Sequence, residues 1–156
     1  MATRLSSTYD LTAKYDIDYI GWTGFSQSQA PLSLGTLPKK VTGILKCSNT
    51  FIKLLLTHQG TDPFNITQGT FFDEIMDMGA LTDTQLFSFI SEQVSSVVSQ
   101  MKDIQLLNSA SDDETITDAI IYELSRNAGN KVLCRVKMLT ASGQYAIVKI
   151  PVVGGG

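Results

Sequence analysis

The chain has 156 residues, of which 17% are charged, and its formal net charge is −3. A chain of this length is most simply one domain with its own hydrophobic core. Because nucleic acid and anionic membranes are bound through clustered lysine and arginine, the lack of a basic excess argues against both as partners. No stretch is long and apolar enough to cross a bilayer, and no N-terminal signal core is evident, so we expect a protein made and used without secretion.

Residues 1–40 are predicted to form a loop-rich N-terminal arm, because no hydrophobic period persists and glycine and proline recur. Rings as large as those of tyrosine and tryptophan dominate burial wherever they dock. They either cover the body of this domain or anchor on a neighbouring protein, and the sequence leaves both alternatives open. The aromatic residues of the arm are Tyr9, Tyr15, Tyr19, Trp22 and Phe25.

Residues 44–56 are predicted to be a helix, because apolar side chains recur at three- and four-residue steps. We expect it to end at the glycine signal of Gly60, and Asp62-Pro63 prevents it from resuming. After a second break at Gly69-Thr70, residues 71–76 are predicted to start another helix. The apolar stripe of the first helix comprises Ile44, Leu45, Cys47, Phe51, Ile52, Leu54, Leu55 and Leu56.

This succession of helix, glycine-bounded loop and helix resembles the baseplate wedge and sheath-initiator family of contractile-tailed phages, which also occurs in type VI secretion baseplates. The resemblance covers roughly residues 41–153. It implies a structural component of the tail baseplate, present in several copies, that contacts other wedge proteins and the sheath protein. The positions that carry it here are Leu55, Thr57, Gly60, Gly69, Thr70 and Phe72.

The clearest helix is predicted to begin at a capping box formed by Thr82 and Gln85, with Leu81 and Leu86 as a hydrophobic staple. Its apolar stripe lasts about five turns. In the family this helix ends in an E-P-R tripeptide that leads into the first strand, and here the corresponding place reads Gln100-Met101-Lys102. Lys102 could take the role of that arginine, although lysine lacks the planar fork that makes bidentate contacts. The predicted stripe is Leu86, Phe87, Phe89, Ile90, Val94, Val97, Val98 and Met101.

The rest of the chain is predicted to be β. Ile104 to Leu107 is a short apolar run, and an acidic loop follows it. Residues 117–124 also fit a helix, but β-branched and aromatic residues in alternation favour a strand. Two further strands follow, over residues 132–138 and 145–153, and short connections make a three-stranded meander the economical arrangement. Pro151 cannot donate a ladder hydrogen bond, so the last strand is predicted to be an edge strand.

The predicted fold is therefore α+β, with two or three helices packed on a small antiparallel, about three-stranded, C-terminal sheet and a loop-rich N-terminal arm. We divide the chain into the arm at 1–40, the wedge or sheath-initiator domain at 41–153, and a flexible tail at 154–156. The order of helix, acidic loop and three strands is similar to that of the family.

No residue pattern predicts catalysis, a cofactor or a metal. His58 is the only histidine, and its place at a helix end favours a structural role. The acids Asp112, Asp113 and Glu114 lack the spacing of a calcium loop, so a solvated acidic turn is favoured. Cys47 and Cys134 have no metal-ligand spacing and are predicted to be buried thiols in a reducing compartment.

Family members have sometimes been labelled lysozymes. A glycosidase needs two carboxyls across a cleft, and here Asp62, or Asp73 with Glu74, could be nominated only by exclusion. We therefore expect no enzyme. The predicted function is a baseplate component that initiates sheath assembly by strand addition, located in the virion tail after assembly in the bacterial host cytoplasm. Alternatives are another tail adaptor, such as a connector or terminator protein, and a peptidoglycan-degrading enzyme. The predicted partner-binding residues are Thr57, Gly60, Gly69, Lys102, Tyr145, Ile147, Lys149 and Val152.

Overall fold

The computed structural model describes residues 16–17, 40–76, 81–126 and 132–152. The elements are β1 (Asp16–Ile17), β2 (Lys40–Val41), α1 (Gly43–Leu56), a 3-10 helix (Phe72–Met76), α2 (Asp83–Asn108), β3 (Ile116–Arg126), β4 (Val132–Thr140) and β5 (Tyr145–Val152). Most of the predicted N-terminal arm, the turn after Arg126 and the predicted flexible tail lie outside the described residues.

Two helices pack on one face of a three-stranded antiparallel sheet whose order is β3-β4-β5. Helix α2 lies mainly against β3, and α1 lies mainly against α2 and β5. The α+β prediction is confirmed, and so are the meander and the strand at residues 117–124. Strand alternation explains the layering, because successive side chains of β4 turn to opposite faces and every second one is buried.

The core lies between the helices and this sheet. Phe51, Ile90, Met101, Val136 and Val148 are among its fully buried side chains. Burial of each such side chain contributes about 1.5–3 kcal/mol before the loss of conformational entropy is counted. Both cysteines are free and buried, as predicted.

Helix α1 ends at Leu56 because Thr57 takes an extended conformation, with φ −84° and ψ 121°. The prediction that Gly60 stops the helix is therefore wrong in detail. Gly60 instead lies in the turn that follows, where Thr61 N–H donates to His58 C=O at 3.2 Å and the glycine takes φ +91°. A positive φ at the third position of a tight turn is where glycine is required.

The acidic loop before β3 closes the N-terminal end of α1. The side chain of Thr42, the N-cap residue, makes no capping bond. Glu114 takes that role: its Oε1 accepts from Gly43 N–H at 3.3 Å and its Oε2 accepts from Lys46 Nζ at 2.7 Å. The side chains of the Lys46 and Glu114 pair are only 9% and 15% exposed. The prediction of a solvated acidic turn is wrong for Glu114, because a carboxylate at a helix N-terminus satisfies amides that would otherwise be unpaired.

Helix α2 begins at the predicted capping box. Gln85 N–H donates to Thr82 Oγ1 at 3.3 Å, and Thr82 N–H donates to Gln85 Oε1 at 3.0 Å. Most of the predicted stripe is buried, whereas Phe87 is about half exposed.

The end of α2 differs from the prediction, because the helix continues through Ile104–Leu107 to Asn108. This stretch contains no proline, so nothing interrupts the helical hydrogen bonds before Asn108. The helix stops at Ser109, which takes the left-handed conformation with φ 51°. Residues 71–76 also differ: they form one 3-10 helix, Phe72–Met76, rather than an α-helix.

Candidate protein-interaction site

Strand β5 is an edge strand, because in the described part of the chain it pairs only with β4. Thr140 N–H donates to Gln144 C=O at 2.9 Å where the hairpin begins, and the register then runs to the end of β5 without a shift. Antiparallel residues alternate between bonding toward the partner strand and bonding away from it. Counted from Gln144, the residues that direct backbone groups away from β4 are Tyr145, Ile147, Lys149 and Pro151.

Pro151 falls at an outward position of this alternation. The N–H that proline lacks would point to the outer edge of the sheet, so proline costs the β4-β5 ladder no hydrogen bond. The outward edge therefore directs donors and acceptors away from β4 at Tyr145 and Ile147, and it ends at Pro151, which can only accept. A strand that pairs with β5 has its length limited by Pro151.

The side chains of β5 divide between the two faces of the sheet. Tyr145, Ile147 and Lys149 are exposed on the face away from the helices. The Lys137 ammonium lies 4.7 Å from the centroid of the Tyr145 ring, at cation–π distance. Val152 is 3% exposed and belongs to the core. Of the four β5 residues predicted to bind a partner, three thus lie together on the open face and Val152 faces inward.

The opposite edge strand, β3, is irregular. Its pairing with β4 shifts register twice, between Ile116 and Asp118 and between Ile121 and Glu123. Bulges of this kind interrupt the row of backbone groups that a further strand would need. The β5 edge is therefore the regular one of the two.

The predicted residues Thr57 and Gly69 contact each other. Thr70 N–H donates to Thr57 C=O at 2.9 Å, and Gln59 N–H donates to Thr70 C=O at 2.8 Å, so the two ends of the loop pair. A Cβ on Gly69 would lie 2.4 Å from the carbonyl oxygen of Thr57, and Gly69 has φ +103°. Only glycine fits there, and its role in this structure is to close the loop.

Two glutamines of α2 hold the same loop from the other side. Gln100 bonds to both backbone groups of Gly69: its Oε1 accepts from the N–H at 2.9 Å and its Nε2 donates to the C=O at 2.8 Å. Gln93 Oε1 accepts from Phe71 N–H at 3.0 Å, and this side chain is buried. We did not predict either contact from the sequence. For Gln93 the sequence held a signal: this residue falls within the apolar stripe of α2, where an unpaired amide would be costly.

The other predicted residues are separate from the β5 edge strand. Gly60 is exposed in the turn after α1, with no atom within 4 Å of where a Cβ would be. Lys102 is exposed on α2. Of residues 100–102, Gln100 clamps the loop, Met101 is buried and Lys102 faces solvent.

His58 has a specific partner. Its Nδ1 lies 2.9 and 3.0 Å from the two carboxylate oxygens of Asp73, and its ring meets Phe71 edge to face, with centroids 5.5 Å apart. The hydrogen bond to the Asp73 carboxylate raises the pKa of His58 above its usual 6.5. The pair ties the end of α1 to the 3-10 helix.

The described residues offer neither a reactive thiol nor a cluster of metal ligands. Burial raises the pKa of the Cys47 thiol to about 12 and that of Cys134 to about 11, so both are unreactive near neutral pH. No group of three or more histidine, cysteine, aspartate or glutamate side chains within the described ranges could hold a metal ion.

Comparison with protein-family models and with curated proteins found no match. Among the helices of the described segments, none combines the length and the hydropathy that crossing a membrane requires.

Proposed function

We propose that this protein is a structural component of a contractile phage tail baseplate, which binds neighbouring wedge proteins and initiates the sheath by accepting an added strand. The observation that carries the proposal is the regular outer edge of β5. Tyr145 and Ile147 each direct one N–H and one C=O away from β4. The choice of assembly rests on the resemblance carried by residues 55–72.

Backbone hydrogen bonds can supply the free energy for strand addition at this edge. Each backbone hydrogen bond that an extended peptide makes contributes about 0.5–1.5 kcal/mol net, and several in a row fix the peptide's direction. The exposed side chains of Tyr145 and Ile147 then set its register, because they flank the new strand on the open face. The partner is an extended arm of the sheath protein, and Pro151 limits how far the arm pairs.

The body of the domain is suited to hold this edge in place. The loop at 57–70 is bonded at both ends and clamped to α2 by Gln93 and Gln100. A braced body keeps its conformation when several copies are arranged around a tail axis. Wedge neighbours would contact this body, with Gly60 and Lys102 as exposed candidates.

The test separates the backbone of the edge from its side chains. Ile147→Pro removes one outward N–H, whereas Ile147→Thr keeps that N–H and changes only the side chain. We expect Ile147→Pro to reduce co-purification with the co-expressed sheath protein at least about tenfold, and Ile147→Thr to reduce it less than about threefold. Deletion of residues 145–156 should abolish it.

Circular dichroism and a thermal melt on each variant establish that the protein is folded. Sheath binding that survives in a folded Ile147→Pro variant would overturn the proposal. Immunolabelling of purified virions distinguishes the position in the tail: label at the baseplate supports the proposal, and label at the neck would identify a connector or terminator instead.

A further inference from the structure

The first part of the N-terminal arm alternates between polar and apolar residues, although no period persists through all of residues 1–40. From Arg4 to Tyr19 every even position is polar, and every odd position except Ser7 is apolar. Alternation with a period of two is typical of a strand that buries one face. Because β1 is the described part of this alternation, the pattern predicts that the strand extends on its N-terminal side, over residues 5–15, called here the N-terminal run. The apolar residues of the run are Leu5, Tyr9, Leu11, Ala13 and Tyr15.

Strand β1 places the end of the N-terminal run near the beginning of β5. Asp16 pairs with Val41, immediately before α1 begins. The acidic loop bonds to that end of α1 through Glu114. The same loop bonds to the β4-β5 hairpin, where Ser142 N–H donates to Asp112 C=O at 3.0 Å. The run therefore joins the domain at the end of the sheet where β5 starts.

Helix α1 has a side that faces neither the sheet nor α2. Lys46 and Thr50 line a cavity with Gln105 of α2, so their side faces α2. Phe51 and Leu54 are fully buried and face the core. The remaining side lies above the outer edge of β5, because α1 packs on β5 while α2 packs mainly on β3. This side, called here the α1 flank, carries Leu45, Asn49, Ile52 and Leu56 at helical spacing.

The middle of α1 is nevertheless covered in every direction. Residues 46–51 are all buried, and they span more than one full helical turn. The sheet and α2 cover two sides only. Strand β1 also packs against α1, so the N-terminal arm reaches this helix. At the other end of the flank Leu56 is 57% exposed, which leaves apolar surface for a neighbouring strand to bury.

We infer that the N-terminal run is a fourth strand, paired antiparallel with the outward edge of β5 in its own chain. The direction follows from the connection, because the run ends where β5 starts. Its apolar side chains face the α1 flank, and its polar side chains lie on the open face of the sheet beside Tyr145 and Ile147. As a strand the run extends about 36 Å and β5 about 27 Å, so the run is long enough to cover the edge.

The occupant is a segment of the same chain because the connection favours it. A tethered segment has an effective concentration of about a millimolar at its site, so it competes well with any free peptide. Covering a regular edge also prevents unspecific pairing with other strands.

This occupancy regulates sheath binding, a consequence that rests on the proposed function. The outward groups of Tyr145 and Ile147 can bond to only one added strand at a time. An arm of the sheath protein therefore binds by displacing the N-terminal run, and the stability of the run on β5 sets the affinity of the edge for the sheath.

Hydrogen exchange of single amides, followed by NMR on the full chain, tests the occupancy without a partner. The Ile147 N–H points outward, so it exchanges fast at an open edge and slowly beneath a fourth strand. We expect it to exchange at least about tenfold more slowly in the unaltered chain than in Leu11→Asp, which places a charge against the α1 flank. Thr12→Asp is the matched control, because the adjacent polar position faces solvent and should keep the protection.

The Val148 amide shows whether each variant is folded, since it bonds toward β4 and should stay protected throughout. Equal exchange at Ile147 in the unaltered chain and in Leu11→Asp would overturn the inference. So would protection that falls on dilution, because the covering strand would then belong to a second copy. A measurement that needs no variant is the cross-strand nuclear Overhauser effect between backbone protons of the run and of Ile147, whose absence would equally exclude the fourth strand.

Co-expression with the sheath protein tests the regulation separately. We expect Leu11→Asp to raise sheath co-purification at least about threefold and Thr12→Asp to leave it unchanged, because only the first releases the edge. Unchanged co-purification in a Leu11→Asp variant whose Ile147 amide exchanges fast would overturn the competition and count against the sheath as the partner. The occupancy of the edge by the run would stand, because the exchange measurement decides it independently.

Discussion

The two edges of the sheet differ in how their backbone groups are used. The β3 edge is interrupted by two register shifts, and its end is tied to α2 because Arg126 contacts the Asp83 carboxylate at 2.9 Å. The β5 edge is regular from Tyr145 until Pro151. Proteins commonly protect exposed edges with bulges and prolines. Here one edge is protected along its length and the other only at its end, which is consistent with the proposed strand addition at β5.

The loop at residues 57–70, which Gly69 closes, resembles the β3 edge because its backbone groups are already bonded within the chain. Its backbone groups are satisfied within the chain by Thr57, Thr70, Gln93 and Gln100. Perturbing such a closed region should lower the free energy of unfolding. Perturbing the outward positions of β5 should instead lower partner binding and reduce the free energy of unfolding less.

Proline substitutions at two adjacent positions of β5, Val148 and Ile147, should give the largest difference in the free energy of unfolding. Val148 faces the core and bonds toward β4, so Val148→Pro removes a ladder hydrogen bond and buried apolar contact. We expect a loss of about 3 kcal/mol or more in the free energy of unfolding, measured by urea denaturation. Ile147→Pro, whose N–H points outward, should cost about 1 kcal/mol. Equal losses at the two positions would show that the assigned alternation is wrong.

Alanine substitutions of the two loop glycines, Gly69 and Gly60, should differ by an intermediate amount in the free energy of unfolding. Gly69→Ala places a methyl group against the carbonyl oxygen of Thr57, and we expect a loss of at least about 2 kcal/mol. Gly60→Ala is the matched control, because it also has a positive φ but meets no atom, so it should cost about 1 kcal/mol. Thermal unfolding of both variants measures the difference. If Gly60→Ala proved the more costly, the proposed closure of the loop by Gly69 would not hold.

The pH dependence of the His58–Asp73 pair gives the smallest effect, because the pair is exposed. The folded pKa of His58 is raised above the usual 6.5, so the folded state binds the proton more tightly. This stabilisation is complete below the unfolded pKa and is lost as the pH rises through the folded pKa. Unfolding at about pH 5.5 and about pH 8.5 should differ more in the unaltered chain than in Asp73→Asn. An identical pH dependence in both would exclude the pair as its source.

The sequence by itself determined the elements whose signals are local. The capping box at Thr82, the apolar stripe of α1 and the alternation along β4 were each readable, because helix and strand periods are imposed by neighbouring residues. The same reasoning located the three strands and placed β5 at an edge. It also brought Tyr145, Ile147 and Lys149 onto one side of a strand.

Only the tertiary structure decided which groups meet across the chain. Glu114 caps α1 although the two are far apart in sequence, and Gln100 clamps Gly69 from a different element. The inward position of Val152 and the bulges that close the β3 edge likewise depend on packing and register with other strands. These contacts carry no local period, since a hydrogen bond between distant residues is specified by the arrangement of elements and not by the spacing of side chains within one element.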